Sequence, residues 1–351
     1  MLLAKTLRSF FSTATLAAVL AGCVTTLAPD VPQNYTYMSQ NGAVTITKYV
    51  GPGGAIYIPR AIDGLPVTGI GEQAFYFCTN LTRVTLPDTV THIGERAFNF
   101  CPALTDISLP NSVVSIERCA FQECTGLTDV RLPASVTNLG VGVFVGCRNL
   151  DSITVDRNNA VYCSENGVVF SKDKRTLVQY PCGRAGDYVI PGRVTHFGIC
   201  AFSECRKLTG VTLPDGITAI PCGMFQKNNK LTRIVIPNSV TNIGEAAFYC
   251  CYSLTHIVLP ASVAYIQRDA FNTCRVLSGV YVQGDAPGFR PSLFDNTDQV
   301  TIYYMAGTKG WGETFDGRPT ATWNPQQPPF DATHGTPASK WYFSTPLAPN
   351  R

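Results

Sequence analysis

The chain has 351 residues, 45% of them hydrophobic, and a formal net charge of +3. That is apolar material enough for a large core. A charge so near neutral, with no block of like sign, suggests neither nucleic acid nor an acidic membrane surface as a partner.

Residues 1–22 read as a removable export signal. Lys5 and Arg8 give a positive start, Phe10 to Ala21 is an apolar run too short to span a bilayer, and Leu20-Ala21-Gly22-Cys23 follows. Small residues before a cysteine resemble the bacterial lipoprotein signal. That resemblance implies lipidation of Cys23, with residues 23–34 as a tether. The alternative is an ordinary secretory signal with an incidental cysteine. No other stretch is long and apolar enough to cross a bilayer. The mature body is therefore expected to be exported and held to a membrane only by acyl chains at Cys23, durably so if there are several.

Residues 35–69 are expected to form an N-terminal cap and a first partial rung. Asn41-Gly42, set between Tyr35-Thr36-Tyr37-Met38 and Val44-Thr45-Ile46, predicts a hairpin, and Ile56-Tyr57-Ile58-Pro59 fits a first strand.

From residue 70 a 23-residue unit recurs, four times over 70–155 and four times over 197–283. Its sixth residue is always phenylalanine: Phe75, Phe98, Phe121, Phe144, Phe202, Phe225, Phe248 and Phe271. Its twelfth is always leucine, from Leu81 to Leu277. Fixed apolar positions at a fixed period imply stacked units, each burying its hydrophobic side against its neighbours. The alternation in Val84-Thr85-Leu86 or Ile107-Ser108-Leu109 predicts a short strand, which Pro87, Pro110, Pro133, Pro214, Pro237 and Pro260 terminate. A helical or 3₁₀ turn is expected around the Ala-Phe pair on the opposite side. This is the plan of a leucine-rich-repeat solenoid. About ten rungs, spaced about 4.8 Å apart, would give a body roughly 45–50 Å long, with short parallel strands on one face and hairpin caps at the ends.

Residues 156–196 are predicted to be a long degenerate repeat. Tyr188-Val189-Ile190-Pro191 fits the strand slot, while Gly167-Val168-Val169-Phe170 and Thr176-Leu177-Val178 predict an inserted hairpin turning at 171–175. Residues 284–323 should close the far end. The proline-rich stretch 324–351 reads as an extended tail in which Trp341-Tyr342-Phe343 is unusual.

Units such as Ile93-Gly94-Glu95-Arg96-Ala97-Phe98-Asn99-Phe100-Cys101 followed by Leu109-Pro110-Asn111-Ser112-Val113 resemble the BspA-like leucine-rich repeats of bacterial surface proteins. The resemblance covers residues 41 to about 283. Gly307 to Trp323 is similar to a closing segment that follows such repeats in some exported proteins. The resemblance implies a right-handed solenoid at the cell surface, used for adhesion or ligand contact, and brings no catalytic residue with it.

Seven cysteines share one slot, Cys78, Cys101, Cys124, Cys147, Cys205, Cys251 and Cys274, and Asn228 holds it in the eighth copy. Asparagine cannot form a disulfide, so the row reads as structural, with both residue types bonding backbone groups. Oxidative pairing between rungs stays open, as does a bridge between Cys163 and Cys182 across the insertion. Zinc is disfavoured: no C-x-x-C occurs, and His92, His196, His256 and His334 are scattered. Neither G-x-S-x-G, H-E-x-x-H nor a phosphate-binding glycine loop is present, so neither a cofactor nor an enzyme is expected. The outward strand positions are the candidates for contact: Arg83, Asp106, Asp129, Arg131, Arg233, His256 and Tyr281. The expectation is a non-catalytic surface lipoprotein binding a protein or glycan through its repeat sheet. The alternative is a structural envelope or cell-cell spacer without a dedicated ligand.

Overall fold

Three walls enclose a core of stacked phenylalanine and aliphatic side chains, and each wall follows from a segment of the 23-residue unit. The computed structural model describes residues 32–324. The expected export signal, Cys23 and the proline-rich stretch from residue 325 on lie outside the described residues.

The first wall consists of the expected β-branched segments. Leu81–Thr85 pairs in parallel with Gly54–Tyr57 before it and Asp106–Ser108 after it. Farther along, Leu208–Thr212 lies between Gly186–Val189 and Arg233–Val235. Equivalent residues 23 apart are direct partners, as in Val84 with Ile107 and Val211 with Ile234. A Thr hydroxyl row runs beside these strands: Thr105 donates to the Thr82 carbonyl at 3.1 Å and Thr232 to that of Thr209 at 3.0 Å.

The unit makes a second strand as well. Its first residue, with the one before it, forms a two-residue parallel strand. His92–Ile93, Ser115–Ile116 and Asn138–Leu139 pair in register, as do Ala219–Ile220, Asn242–Ile243 and Tyr265–Ile266. Two residues are too short to show alternation in the sequence, so this wall was not predicted.

The third wall corrects the expected helical turn. Around each Ala-Phe pair the fourth and eighth residues of the unit lie in the left-handed region: Gln73 and Phe77, Arg96 and Phe100, Cys119 and Glu123 have φ between +53° and +63°. Such residues turn alternate peptide groups along the solenoid axis. Phe75 N–H accordingly donates to the Ala97 carbonyl at 2.7 Å, and Phe77 N–H to that of Asn99 at 3.0 Å. The intervening amides bond within the rung, Ala74 to Gly71 and Tyr76 to Gln73. A helix would keep every bond inside its own rung. Here half of them tie one rung to the next, which holds the Phe side chains in register.

The N-terminal hairpin is as read, with Tyr35–Gln40 antiparallel to Ala43–Tyr49 and Asn41 and Gly42 both at positive φ. Tyr49 stacks on Phe75 at 5.2 Å and Tyr35 lies tilted against Tyr49 at 5.4 Å, so two tyrosines cover the end of the phenylalanine column. At the other end, residues 284–323 are more than a cap. Phe294 stacks on Phe271 at 5.5 Å, and Gly288–Phe289 pairs with Tyr265–Ile266, so a further rung precedes the closing hairpin of Thr314–Phe315 and Arg318–Trp323. The solenoid therefore has about eleven turns.

The insertion holds one strand more than expected. Tyr162–Glu165 and Thr176–Gln179 both pair antiparallel with Val168–Ser171, and Thr176–Gln179 also joins His196–Phe197 in the second wall. Side chains alternate across a strand, and both faces of Val168–Ser171 are buried. Val168 and Phe170 pack into the core that runs on to Phe315, while Val169 packs into the core that begins at Tyr35. This strand is a partition between two hydrophobic columns.

Candidate binding face

The outward positions of the first wall come together in rows because the strands are parallel and in register. Arg83 and Asp106 are direct neighbours, with Nε and Oδ2 3.0 Å apart. Asp129 is the direct partner of Ser152, and Arg131 of Thr154. Arg131 reaches Asp156, Nη2 to Oδ2 at 3.0 Å, with most of its own side chain in solvent. The backbone N–H of Asn158 and the Arg131 guanidinium hold the Asp156 carboxyl below its usual value. Beside Arg131, Asp156, Ser108, Pro110 and Pro133 line a shallow groove of about 330 Å³.

Beyond the insertion the row continues with Asp187, Gly210, Arg233 and His256. Arg233 forms an ion pair with Asp187 over the intervening Gly210. A Cβ at Gly210 would come within 2.6 Å of Arg233 Nε and 2.7 Å of Asp187 Oδ1, so the pair requires glycine there. His256 is half-buried rather than fully solvated, and that burial lowers its pKa. Its Nδ1 lies 3.0 Å from the Thr255 hydroxyl.

Tyr281 departs from the expectation of an open contact residue. It is only 5% exposed, stacked on Tyr303 at 4.8 Å and edge-on to Trp323 at 5.2 Å. Its ring lies above Gly279, within 2.7 Å of where a Cβ would stand. Tyr303, and Trp323 of the closing hairpin, cover this end of the face, so Tyr281 belongs to the cap. Sequence reasoning missed Asp156 and Asp187. Asp187 precedes Tyr188-Val189-Ile190-Pro191 and occupies the slot that Arg83 holds before Val84-Thr85-Leu86-Pro87, a signal legible once the degenerate rung is aligned.

The cysteine row is satisfied by backbone. Cys101, Cys124 and Cys147 donate to the carbonyls of Phe75, Phe98 and Phe121 at 3.1, 3.0 and 3.0 Å. Burial pushes the thiols of Cys78 and Cys274 up, to about 11 and about 12, and Cys274 donates to the Phe248 carbonyl at 3.1 Å. In a further rung Thr297 does the same work, its hydroxyl donating to the Phe271 carbonyl at 2.8 Å. Asn228 does not: both polar atoms of its buried amide lack a hydrogen-bond partner. Cys163 and Cys182 are not bonded to one another. The Cys163 thiol donates to the Ser171 carbonyl and the Cys182 thiol to that of Ser203, both at 3.3 Å. Among the described residues no group of three or more His, Cys, Asp or Glu is placed to hold a metal ion.

The Thr297 substitution gives a test of the row. Cys124→Thr should fold with little change in stability, whereas Cys124→Val should lose about 1–3 kcal/mol by leaving the buried Phe98 carbonyl unpaired. Urea midpoints of the two variants decide it, and equal losses would refute the hydrogen-bonding role.

Short parallel strands repeated at 23 residues around a phenylalanine and leucine core, with one long strand face free of core packing, define a leucine-rich-repeat solenoid. The chain belongs to the BspA type leucine rich repeat family, which it matches over residues 63–166 and 179–301 in six copies. The unmatched stretch between them coincides with the inserted hairpin. Among solved structures, the chain is similar to the pneumococcal vaccine antigen PcpA, at 19% identity and a TM-score of 0.66, over 83% of this chain and 97% of that one. It is similar also to a leucine rich cell surface protein from Faecalibacterium prausnitzii, at 26% identity and a TM-score of 0.51, over 80% and 96%. A leucine-rich repeat protein from Eubacterium ventriosum is 25% identical with a TM-score of 0.60, over 75% and 80%. No curated protein matches the chain.

Proposed function

We propose that this protein is a lipid-anchored cell-surface solenoid that binds a macromolecular partner, a protein or a glycan, by complementarity and without chemistry. The observation that carries the reading is the first wall: Arg83, Asp106, Asp129 and Arg131 stand exposed on one face beside a groove, while the amides of the turn wall are used in bonds within and between rungs. The similarity to a leucine rich cell surface protein supports the location. Cys23 in its Leu-Ala-Gly-Cys setting supports the anchor. Arg233 and His256 extend the face past the insertion, and Tyr281 is left out because the cap covers it. A second reading, a spacer without a dedicated ligand, draws on the internal pairing of Arg83 with Asp106, Arg131 with Asp156 and Arg233 with Asp187, which leaves much of the charge compensated.

Cells displaying the full chain should bind a protein or glycan array, and the double variant Arg83→Ala/Arg131→Ala should weaken that binding by about tenfold or more, since a few residues carry most interface energy. Binding unaffected by the double variant would rule out this face, and no binding at all with altered envelope integrity would favour the spacer. In the same cells Cys23→Ser should abolish palmitate labelling.

A further inference from the structure

Five of the seven cysteines of the row share a partner that Cys205 has lost. Cys101, Cys124, Cys147, Cys251 and Cys274 each reach the carbonyl of the phenylalanine 26 residues earlier, at 3.0 to 3.2 Å. Cys205 cannot, because the rung before it is the irregular one. There Tyr180 takes the phenylalanine position, stacked on Phe202 at 4.9 Å, and stands 22 rather than 23 residues before it. The acceptor that the regular spacing would supply is out of place. What lies next to the Cys205 sulfur is another sulfur: Cys182 Sγ at 3.1 Å, with the Ser203 carbonyl only at 3.9 Å.

Several independent features favour bond formation between these two atoms. Cys182 and Cys205 lie in adjacent rungs, Cys182 two residues after Tyr180 and Cys205 three after Phe202. Adjacent stacked rungs are about 4.8 Å apart, within the Cα separation of about 4.4–6.8 Å that a disulfide needs. The sulfurs already approach closer than van der Waals contact, about 1 Å from the bonded distance of about 2.05 Å. Both side chains are buried, at 1% and 0% exposure, so neither has water as an alternative partner. Cys182 also reaches the Ser203 carbonyl at 3.3 Å, a contact made with its sulfur beside that of Cys205, while Cys147 and Cys163 reach the carbonyls of Phe121 and Ser171 elsewhere.

We propose that Cys182 and Cys205 form an inter-rung disulfide that staples the irregular repeat to the regular rung after it. The step is thiol–disulfide exchange with the disulfide of a thiol oxidoreductase or of oxidised glutathione. One cysteine thiolate attacks the donor disulfide and releases a thiol. The second thiolate then displaces the remaining donor sulfur, so that the protein gains one S–S bond and the donor becomes two thiols. Burial pushes the Cys205 thiol well up, so exchange takes place before the rung closes, during folding. The staple closes a loop between the irregular rung and the regular rung after it, and cross-linking removes loop-closure entropy from the unfolded chain. It is independent of the binding reading.

The full chain, reduced and unfolded, is refolded in a mixture of reduced and oxidised glutathione, alkylated with iodoacetamide and digested with trypsin without reductant. Mass spectrometry should find the peptide Thr176–Arg184 linked to Val194–Arg206 carbamidomethylated at Cys200, two hydrogens lighter than the sum of those two peptides, with fragmentation placing the bond at Cys205. Reduction should lower the melting temperature of the wild type and leave that of Cys205→Ala unchanged. Recovery of both thiols carbamidomethylated, or a link from Cys182 to Cys163 or Cys147, overturns the proposal. So does a melting temperature insensitive to reduction in a sample in which the link is present.

Discussion

Replacing Phe121 by alanine should lower the unfolding free energy by about 3–5 kcal/mol, the cost of truncating a fully buried phenylalanine. Its ring is fully buried, 5.2 Å from that of Phe98 and 5.7 Å from that of Phe144, and within 9° of parallel to both. The neighbouring rings cannot move in to fill the hole, because each is held at its own height by the rung-to-rung hydrogen bonds of the turn wall. The amide of Phe121 itself donates to the Val143 carbonyl at 3.0 Å. Phe121→Leu should recover more than half of the loss. Urea denaturation followed by circular dichroism measures both, and a loss below 1.5 kcal/mol (roughly the cost of a volume-conserving swap) for the alanine variant would mean that the column is not what sets stability.

A comparable loss is expected at Glu204. Its carboxylate is 4% exposed and faces three cations: Arg206 at 2.9 Å, Lys227 at 2.9 Å and Arg148 at 3.8 Å. Arg148 also holds Glu123 at 3.0 Å. Since Glu123 and Arg148 precede the insertion while Glu204, Arg206 and Lys227 follow it, this network fastens the two halves together. Glu204→Gln removes the central charge and should cost about 3–5 kcal/mol near pH 7, the usual result of breaking a buried pair from one side.

The two carboxylates titrate in opposite senses. Burial pushes Glu204 up, but hydrogen bonds from Lys227 and Arg206 outweigh it and hold the carboxyl below its ordinary value. Its stabilisation is therefore present above the unfolded glutamate value of about 4.3 and is lost as pH falls through the lower folded value. Glu123 is raised, by burial and by the Glu204 charge. Its contribution is present below about pH 4.3 and is lost as pH rises through the raised folded value. The difference in stability between wild type and Glu204→Gln should thus shrink as the solution is acidified below about pH 4. A gap that stays constant from pH 7 to pH 3 would show that the cations do not sense the Glu204 charge.

Much of this architecture could be read from residue types alone, for a physical reason. Every phenylalanine and leucine of the unit does the same job in every copy, so the period averages out local ambiguity that a single strand would leave. The Asn41-Gly42 turn was equally plain, because only such residues accept two successive positive φ values cheaply. The same signal at Asn166-Gly167 went unused, and with it the strand Tyr162–Glu165. The helical turn was misjudged because left-handed backbone at residues such as Gln73, Phe77 and Arg96 leaves no compositional trace; glycine marks it only at Gly142, Gly146 and Gly223. The extra rung near Phe294 was hidden by Val300 and Thr297 standing where leucine and cysteine stand elsewhere. On the candidate face, the strand slots identified Arg83, Asp106, Asp129 and Arg131. Side-chain pairing across rungs, and the burial of Tyr281 by Trp323, depend on how the chain closes and are not encoded in any one unit.

The strand Val168–Ser171, with both of its faces buried, also bears on how the molecule comes apart. In a one-dimensional array, cooperativity passes only through contacts between nearest neighbours, and here the two aromatic stacks do not touch across that strand. Loss of the charged fastening at Glu204 should therefore turn a single calorimetric melt into two, one for each side of the partition. Amide hydrogen exchange would then report two protection levels, changing near residue 168. A single sharp melt in Glu204→Gln would mean that the backbone ladders alone carry the coupling from end to end.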